Sequence, residues 1–358
     1  MPTRAKIQDV ARLADVSLST VSAVLNEKKI VSAGTRQRVL DAIEALQYRP
    51  DYYASNLARR QTRVFGLIVS DLRNPFFSET AHAIEEEARK HGYGITLRDT
   101  NFSPDLLREG VRQMLGARIA GLALITSEYD EEAFAMVQRS GVPSVFMDVG
   151  KVGAMSTNIR VDTRQGMIAA VEHLVALGHT ELLFVRNSSP GDGPALLSHK
   201  YRDQGFAAAI KGCGIPGIRT SVVNAVGFPT NAGREAVKLA LRGEVFTAVV
   251  CATDLVALGV CRGLHDHGIR IPEEVSVVGF DNTYLSEFLS PPLTSIDIPR
   301  EELSRLAVNA LLCADEKRCM PKTIRLKTKL IVRSSTAARP QTTGAAATQA
   351  DRVTHANK

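Results

Sequence analysis

Residues 7–26 read IQDVARLADVSLSTVSAVLN, and this stretch decides the character of the amino-terminal region. Ile7, Val10, Ala11 and Ala14 recur at the spacing of one helix face. A break follows at Asp15-Val16. Ser17 is a suitable N-cap for a second helix, which turns Val21, Val24 and Leu25 inward. A polar, basic loop runs from Asn26 to Val31. Ser32 then caps a third helix with Val39, Ile43 and Leu46 on its buried face. Two short helices closely joined and braced by a third describe a helix-turn-helix unit, here residues 1–49.

Outward from this unit the chain changes character three times. Pro50 ends the third helix, and residues 50–63 hold Asp51-Tyr52-Tyr53-Ala54-Ser55-Asn56-Leu57-Ala58-Arg59-Arg60, enough for two helical turns. So short a helix is marginal in water and is expected to order only on a partner. Residues 64–335 alternate strand and helix patterns. Apolar runs fall at Val64–Val69, Gly121–Ile125, Ser144–Met147, Leu182–Val185, Ala248–Cys251 and Val275–Phe280. Helical patterns between them include Glu79–His91, Thr163–Leu177 and Asp254–His267. Such alternation implies parallel sheets covered by helices, and the length implies two lobes around a cleft. Residues 336–358 lack any apolar period and read as a disordered tail without a leucine heptad. The fold class is thus an all-α helix-turn-helix headpiece followed by an α/β two-lobed domain.

Charge follows the same division. The whole chain carries a formal +6, and residues 1–64 hold 11 Lys/Arg against 6 Asp/Glu, whereas residues 65–335 hold 30 against 31. A basic head on a neutral body points to an anionic polymer as partner of the head. No apolar run reaches the roughly 18 residues of a membrane span, and the first residues lack a secretory pattern, so the expectation is a cytoplasmic protein with no membrane partner. The five cysteines, Cys213, Cys251, Cys261, Cys313 and Cys319, form no CxxC and are expected to be reduced thiols. His265 and His267 read as a surface helix end and not as metal ligands, and no cofactor or metal is expected.

Taken in order, these residues resemble the lactose/galactose repressor (LacI/GalR) family of transcription regulators. The headpiece carries Ile7-Gln8-Asp9-Val10-Ala11, Val16 to Ser22, Leu25-Asn26, Val31-Ser32 and Thr35-Arg36, and the hinge Tyr48-Arg49-Pro50, Ala54 and Leu57-Ala58. The body adds Asn74-Pro75-Phe76-Phe77, Gly178-His179, Arg202, Gly205-Phe206, Asp254, Val277 to Asp281, Pro292 to Ile296 and Val332 to Thr336. The likeness runs in register over about residues 7–336. It implies a periplasmic-binding-protein-like, two-lobed sensor domain and a ligand-responsive repressor that binds double-stranded DNA at a near-palindromic operator as a homodimer.

What the resemblance implies for individual residues is specific. Leu18, Ser19 and Ala23 match positions that read bases in the major groove. They are small or apolar where larger polar residues are common, so direct readout should rest on thymine-methyl contact and a single hydroxyl. Thr20, Ser22 and Asn26 match phosphate-contacting positions. Leu57 matches the wedge that enters the minor groove and kinks the duplex, with Ala58 beside it. The effector is a small polar molecule, a sugar or sugar derivative, with a purine-like corepressor as the alternative. Positions matching effector contacts are Asp71, Asn74, Phe76, Phe77, Asp148, Arg202, Phe228, Thr253 and Asp281. Carboxylates and Arg suit hydroxyl groups, and aromatic faces suit the C–H side of a ring. Arg202 is expected to open a helix and Asp254 to cap one, and Thr253 stands where Asn is common. Effector binding is expected to shift the two hinge segments between ordered and disordered states. A catalytic reading finds no GxSxG elbow, no GxxxxGK[ST] loop and no GxGxxG after the first strand.

Overall fold

The computed structural model describes residues 5–25, 31–48, 62–149, 152–153, 155–188, 197–313 and 322–339. The chain divides into two compact units, residues 1–62 and 63–358. Among its described residues the first holds α1 (Ile7–Leu13), α2 (Leu18–Leu25) and α3 (Ala33–Ala45). They pack Val10, Ala11, Ala14, Val21, Val24, Val39 and Ala42 into one small core. The α1–α2 turn is closed by Asp15 in the left-handed region (φ 53°), with the Val16 N–H donating to the Ala11 carbonyl at 3.0 Å. That geometry ends a helix sharply and frees the next residue to start another. The expected caps are present: Ser17 Oγ accepts from Thr20 N at 3.2 Å and Ser32 Oγ from Thr35 N at 3.4 Å.

The second unit contains two six-stranded sheets with helices between the strands. In the first lobe these are β1 (Val64–Val69), α4 (Pro75–Lys90), β2 (Gly94–Asp99), α5 (Pro104–Gly116), β3 (Gly121–Ile125), α6 (Glu131–Ser140), β4 (Ser144–Met147) and β5 (Ser156–Val161). In the second they are α7 (Thr163–Ala176), β6 (Glu181–Ser188), α8 (Leu197–Gly212), β7 (Arg219–Val226), α9 (Pro229–Ala240), β8 (Ala248–Cys251), α10 (Asp254–Asp266), β9 (Ser276–Asp281), α11 (Leu285–Phe288) and β10 (Thr294–Asp297). The chain then returns to the first lobe through α12 (Arg300–Cys313) and β11 (Lys322–Leu326), and ends in the second with β12 (Lys329–Ile331). Strand order is β11-β5-β4-β3-β1-β2 in one sheet and β12-β10-β9-β8-β6-β7 in the other. Among the described residues all pairings are parallel except β12 with β10. The chain crosses between the sheets three times, near residues 162, 298 and 328. Two crossings are tied together where Asp162 N donates to the Leu326 carbonyl at 2.8 Å and Thr328 Oγ1 to the Asp162 carbonyl at 2.9 Å.

The central strands are buried on both faces, which is why they read as apolar runs: β3, β4 and β8 are buried throughout. The helices α9 and α10 lie close because Gly259 has no side chain, and a Cβ there would come within 2.0 Å of the Thr230 carbonyl. The body continues past the expected boundary at residue 335. His179 Nε2 lies 3.0 Å from the Ala337 carbonyl, and the Arg339 guanidinium pairs with Glu181 at 2.9 Å. Residues 336–339 are therefore part of the packed body, correcting the expected start of the tail. Residues 340–358 lie outside the described residues, as do Asn26, Leu57 and Ala58.

Candidate nucleic-acid interface and effector cleft

On α2 the inward residues are Val21 and Val24, and the outward face carries the residues expected to meet DNA. Leu18 is 46% exposed, and Ser19 and Ser22 are also exposed. Thr20 and Ala23 are half-buried. The Ser17 hydroxyl lies 2.8 Å from both the Ser19 and Thr20 hydroxyls. These contacts hold the first turn of α2 in one arrangement.

The cleft of the second unit lies at the carboxyl ends of the strands of both lobes, where open parallel sheets bind ligands. From the first lobe it is lined by Asp71 and Asn74 after β1, Phe76 and Phe77 at the start of α4, and Asp148 after β4. From the second come Arg202 on α8, Thr253 before α10 and Asp281 at the end of β9. Eight of the nine expected effector residues thus meet in one place. Phe228 is not among the lining residues; its neighbour Pro229 is. The Phe228 ring instead lies under the Arg73 guanidinium, 5.1 Å from its centroid. Arg73 in turn grips Asp71 with two hydrogen bonds of 2.8 Å and Asn101 with one of 2.7 Å. One arginine of the first lobe therefore spans the cleft mouth and covers the ring expected to face the ligand.

Asp281 is buried and accepts from Arg202 Nη2 at 3.0 Å, while the Arg202 guanidinium lies 4.5 Å from the Phe280 ring centroid. Burial pushes the Asp281 carboxyl up to about 7 although Arg202 pulls it down, because one guanidinium does not replace the lost water. Asp148 accepts from Val161 N at 2.8 Å, and burial pushes its carboxyl up to about 6. Both aspartates have positive φ, 55° at Asp148 and 110° at Asp281. Such backbone costs on the order of 1–3 kcal/mol at a non-glycine residue and persists only where its surroundings enforce it. For Asp281 the surroundings are plain. Arg300 Nη1 donates to its carbonyl and Nη2 to that of Asn282, both at 2.6 Å, and Arg300 Nε pairs with Glu79 of α4 at 2.9 Å.

Two expectations about this region are corrected. Arg202 lies in the second turn of α8 and does not open that helix. Asp254 does not cap α10; Thr253 does, its hydroxyl accepting from Val256 N at 3.1 Å. Asp254 is instead a buried acceptor for Thr283 N at 2.7 Å, Ser286 Oγ at 2.7 Å and Ser295 Oγ at 2.6 Å, and so pins the loop that follows Asp281. Gly279 leaves room for that carboxylate, since a Cβ there would come within 2.3 Å of Asp254 Oδ1. A second buried acid, Glu128, accepts from the Ser70 hydroxyl at 2.6 Å and from the Thr100 hydroxyl, joining the loops after β1, β2 and β3. Burial raises its pKa.

Sequence reasoning missed Phe102, Ser127, Val161, Thr163 and Ile298, which also line the cleft. Each lies at or just beyond the end of a strand. Among the described residues no group of His, Cys, Asp and Glu is arranged to hold a metal ion, and no helix is long and apolar enough to cross a membrane.

Residues 6–51 match the pattern of "Bacterial regulatory proteins, lacI family", and residues 171–336 match "Periplasmic binding protein-like domain". The chain is 32% identical over 335 residues to the HTH-type transcriptional repressor PurR of Actinobacillus pleuropneumoniae serotype 3 (strain JL03), covering 92% of this chain and 98% of that protein. Its structure resembles the lac repressor dimer bound to operator and the anti-inducer ONPF, with TM-score 0.81, 28% identity, and coverage of 94% of this chain and 100% of that one. It also resembles a LacI family transcriptional regulator from Enterococcus faecium with bound ribose, with TM-score 0.66, 29% identity, and coverage of 77% and 99%. An exposed second helix in the first unit and a two-lobed cleft in the second agree with these likenesses, and the chain belongs to the lacI family as a DNA-binding transcriptional regulator.

Proposed function

We propose that this regulator is a repressor whose grip on a near-palindromic operator is set by a small polar effector, a sugar or sugar derivative, bound in the cleft. The observation that carries the reading is the convergence of Asp71, Asn74, Asp148, Arg202 and Asp281 with Phe76 and Phe77 at one cleft between two lobes. Carboxylates and a guanidinium accept and donate to ring hydroxyls, while Phe76 and Phe77 offer apolar surface to the ring. On DNA, Leu18, Ser19 and Ala23 read bases, and Thr20, Ser22 and Asn26 hold phosphates. Leu57, flanked by Ala58, acts as the minor-groove wedge. The active form is a homodimer. Exposed apolar side chains on one edge strand of each sheet, Leu97 of β2 and Val222 and Val226 of β7, support a covered face. The effector biases the two lobes between arrangements that favour or disfavour ordered hinges, a population shift.

The likeness to repressors called PurR favours a second reading, a purine-like corepressor that strengthens operator binding. Selection of binding sites from random duplex DNA by the purified protein tests the DNA half of the proposal. A near-palindrome with a kinkable centre is expected, and Leu57→Gly is expected to lose it while ligand binding in the cleft persists. Enrichment that appears only when a purine is added would favour the second reading. Loss of ligand binding together with DNA binding in the Leu57 variant would overturn the modular account.

A further inference from the structure

We propose that Glu79 and Arg300 are positioning residues for the effector response. As one ion pair of the first lobe they clasp the 281–284 turn of the second, so that the setting of Asp281 and the arrangement of the lobes change together. The part given to Asp281 rests on the effector reading above; the clasp rests on the contacts alone.

Glu79 lies in the second turn of α4, and Arg300 opens α12, the helix by which the chain re-enters the first lobe. Glu79 Oε2 pairs with Arg300 Nε at 2.9 Å, and the two side chains are only 25% and 15% exposed. An ion pair on an open surface stabilises little; one shielded from water is screened less and holds its geometry. The remaining polar atoms of both side chains turn to the second lobe. Glu79 Oε1 accepts from Tyr284 N at 3.1 Å. Arg300 Nη1 donates to the Asp281 carbonyl and Nη2 to the Asn282 carbonyl, each at 2.6 Å. All three bonds are to backbone. A contact to a side chain can follow a shift of the lobe by a change of rotamer; one to the backbone moves only with the chain. Two other contacts across the cleft are of the looser kind: the Arg73 guanidinium over Phe228 at 5.1 Å, and that of Arg160 of β5 over the Tyr201 ring of α8 at 5.8 Å.

The turn is shared between the lobes. Asn282 N donates to Ser295 Oγ at 3.1 Å, Asn282 Nδ2 to Asp297 Oδ1 at 2.9 Å and Thr283 N to Asp254 Oδ2 at 2.7 Å, all within the second lobe. The carbonyls of Asp281 and Asn282 and the N–H of Tyr284 go to the first. Asp281 and Asn282 both have positive φ, 110° and 50°, a backbone that persists only where its surroundings enforce it. The side chain of the same Asp281 accepts from Arg202 in the cleft at 3.0 Å. A ligand that alters the contacts of this side chain therefore acts on a backbone already fastened to the opposite lobe. An element held by both lobes, one end of which meets the ligand, is what lets binding bias the lobe arrangement.

The test uses the intact protein with Glu79→Ala, Arg300→Met and the double variant. The turn keeps its bonds within the second lobe in all three, so all three are expected to fold. Hydrogen exchange read by mass spectrometry is expected to quicken about ten-fold or more over residues 281–288 in each single variant, with β8 and α10 of the same lobe unchanged. The double variant is expected to exchange no faster than the faster single one, because groups that act as one unit are not additive. Unchanged exchange over 281–288, additive increments, or equal quickening in β8 and α10 would overturn the clasp, and this arm needs no ligand. The second arm measures operator affinity with and without a compound that calorimetry shows to bind, drawn from D-ribose, D-glucose, D-galactose, cellobiose, hypoxanthine and guanine, at a concentration saturating for each variant. The ratio of the two affinities, expected at about 5–150-fold in the wild type, should fall to about two-fold or less in each single variant. A variant weakened only in packing would melt earlier with the ratio intact, and that result would overturn the positioning role. If none of these compounds shifts the operator affinity of the wild type, the effector reading is what fails, and the exchange arm alone decides the clasp.

Discussion

The headpiece and the sensor body place their informative residues in opposite environments. In the headpiece the core is a handful of small aliphatic side chains, and of the residues proposed to read DNA Leu18 and Ser19 stand exposed on α2, with Ala23 half-buried. In the body the residues proposed to hold the effector are buried charges: Asp281 is 1% and Asp148 6% exposed. DNA presents itself to a surface, so readers there are nearly free of folding constraints. A small ligand must be wrapped, so its contacts are also structural members, and removing one disturbs the fold as well as the binding. The contrast predicts that mutations at the two sites separate function from stability very differently.

The largest effect is expected at Arg202. Arg202→Ala leaves Asp281 buried beside Asp254 without its partner, and breaking a buried pair costs about 3–5 kcal/mol. Calorimetry should show the loss in the transition of the body, with that of the headpiece unchanged. Retained body stability would mean that the pair is not closed in solution. Next comes Asp148→Asn, for which a gain is expected. The Asp148 carboxyl titrates near 6 in the folded chain and near 3.8 when free, so the folded state holds its proton over that window. Wild-type stability therefore declines as pH rises from about 4 to about 6. The variant, blind to this titration, should be more stable above pH 6 by on the order of 2–3 kcal/mol, at about 1.4 kcal/mol per pKa unit. The advantage should vanish below about pH 4. A pH-independent gain would point to some other cause.

Smaller effects belong to the headpiece. Ser32→Ala removes the cap of α3 and should cost about 1 kcal/mol. Leu18→Ser should leave headpiece stability within about 0.5 kcal/mol, as expected at a surface position. It should nonetheless weaken binding to a selected operator and relax preference at one base pair per half-site, seen by titration against operator variants. A stability loss as large as that of Ser32→Ala would return Leu18 to the core.

The same contrast explains how much could be read in advance. The central strands were legible because burial on both faces makes them continuous apolar runs; β1, β3, β4 and β8 begin and end where the runs do. The strands that escaped notice are the polar or half-exposed ones. In β2 nearly every residue is exposed, and β5 reads STNIRV. Their loss propagates to the site, because Phe102 follows β2, Val161 and Thr163 flank the end of β5, and Ile298 follows β10. A residue at the end of an unrecognised strand cannot be assigned to a cleft built from strand ends. Asp254 was misread for a different reason. An acid at a helix start resembles a cap, and only tertiary packing reveals that Thr283, Ser286 and Ser295 converge on it. Phe228 marks the limit of positional matching. Its place beside Pro229 is right for the cleft, but Arg73 covers its ring.

The central claim is that a ligand in the buried cleft controls DNA binding by the headpiece. The most direct test titrates a selected operator with the intact protein, with and without a saturating ligand found by screening sugars and purines, in wild type and in Asp281→Ala. The account predicts a change in operator affinity of about 5–150-fold in the wild type, the range of typical allosteric coupling. In Asp281→Ala it predicts no response, with operator affinity retained. An equal response in both proteins, or a ligand that fills the wild-type cleft without altering operator affinity, would contradict it.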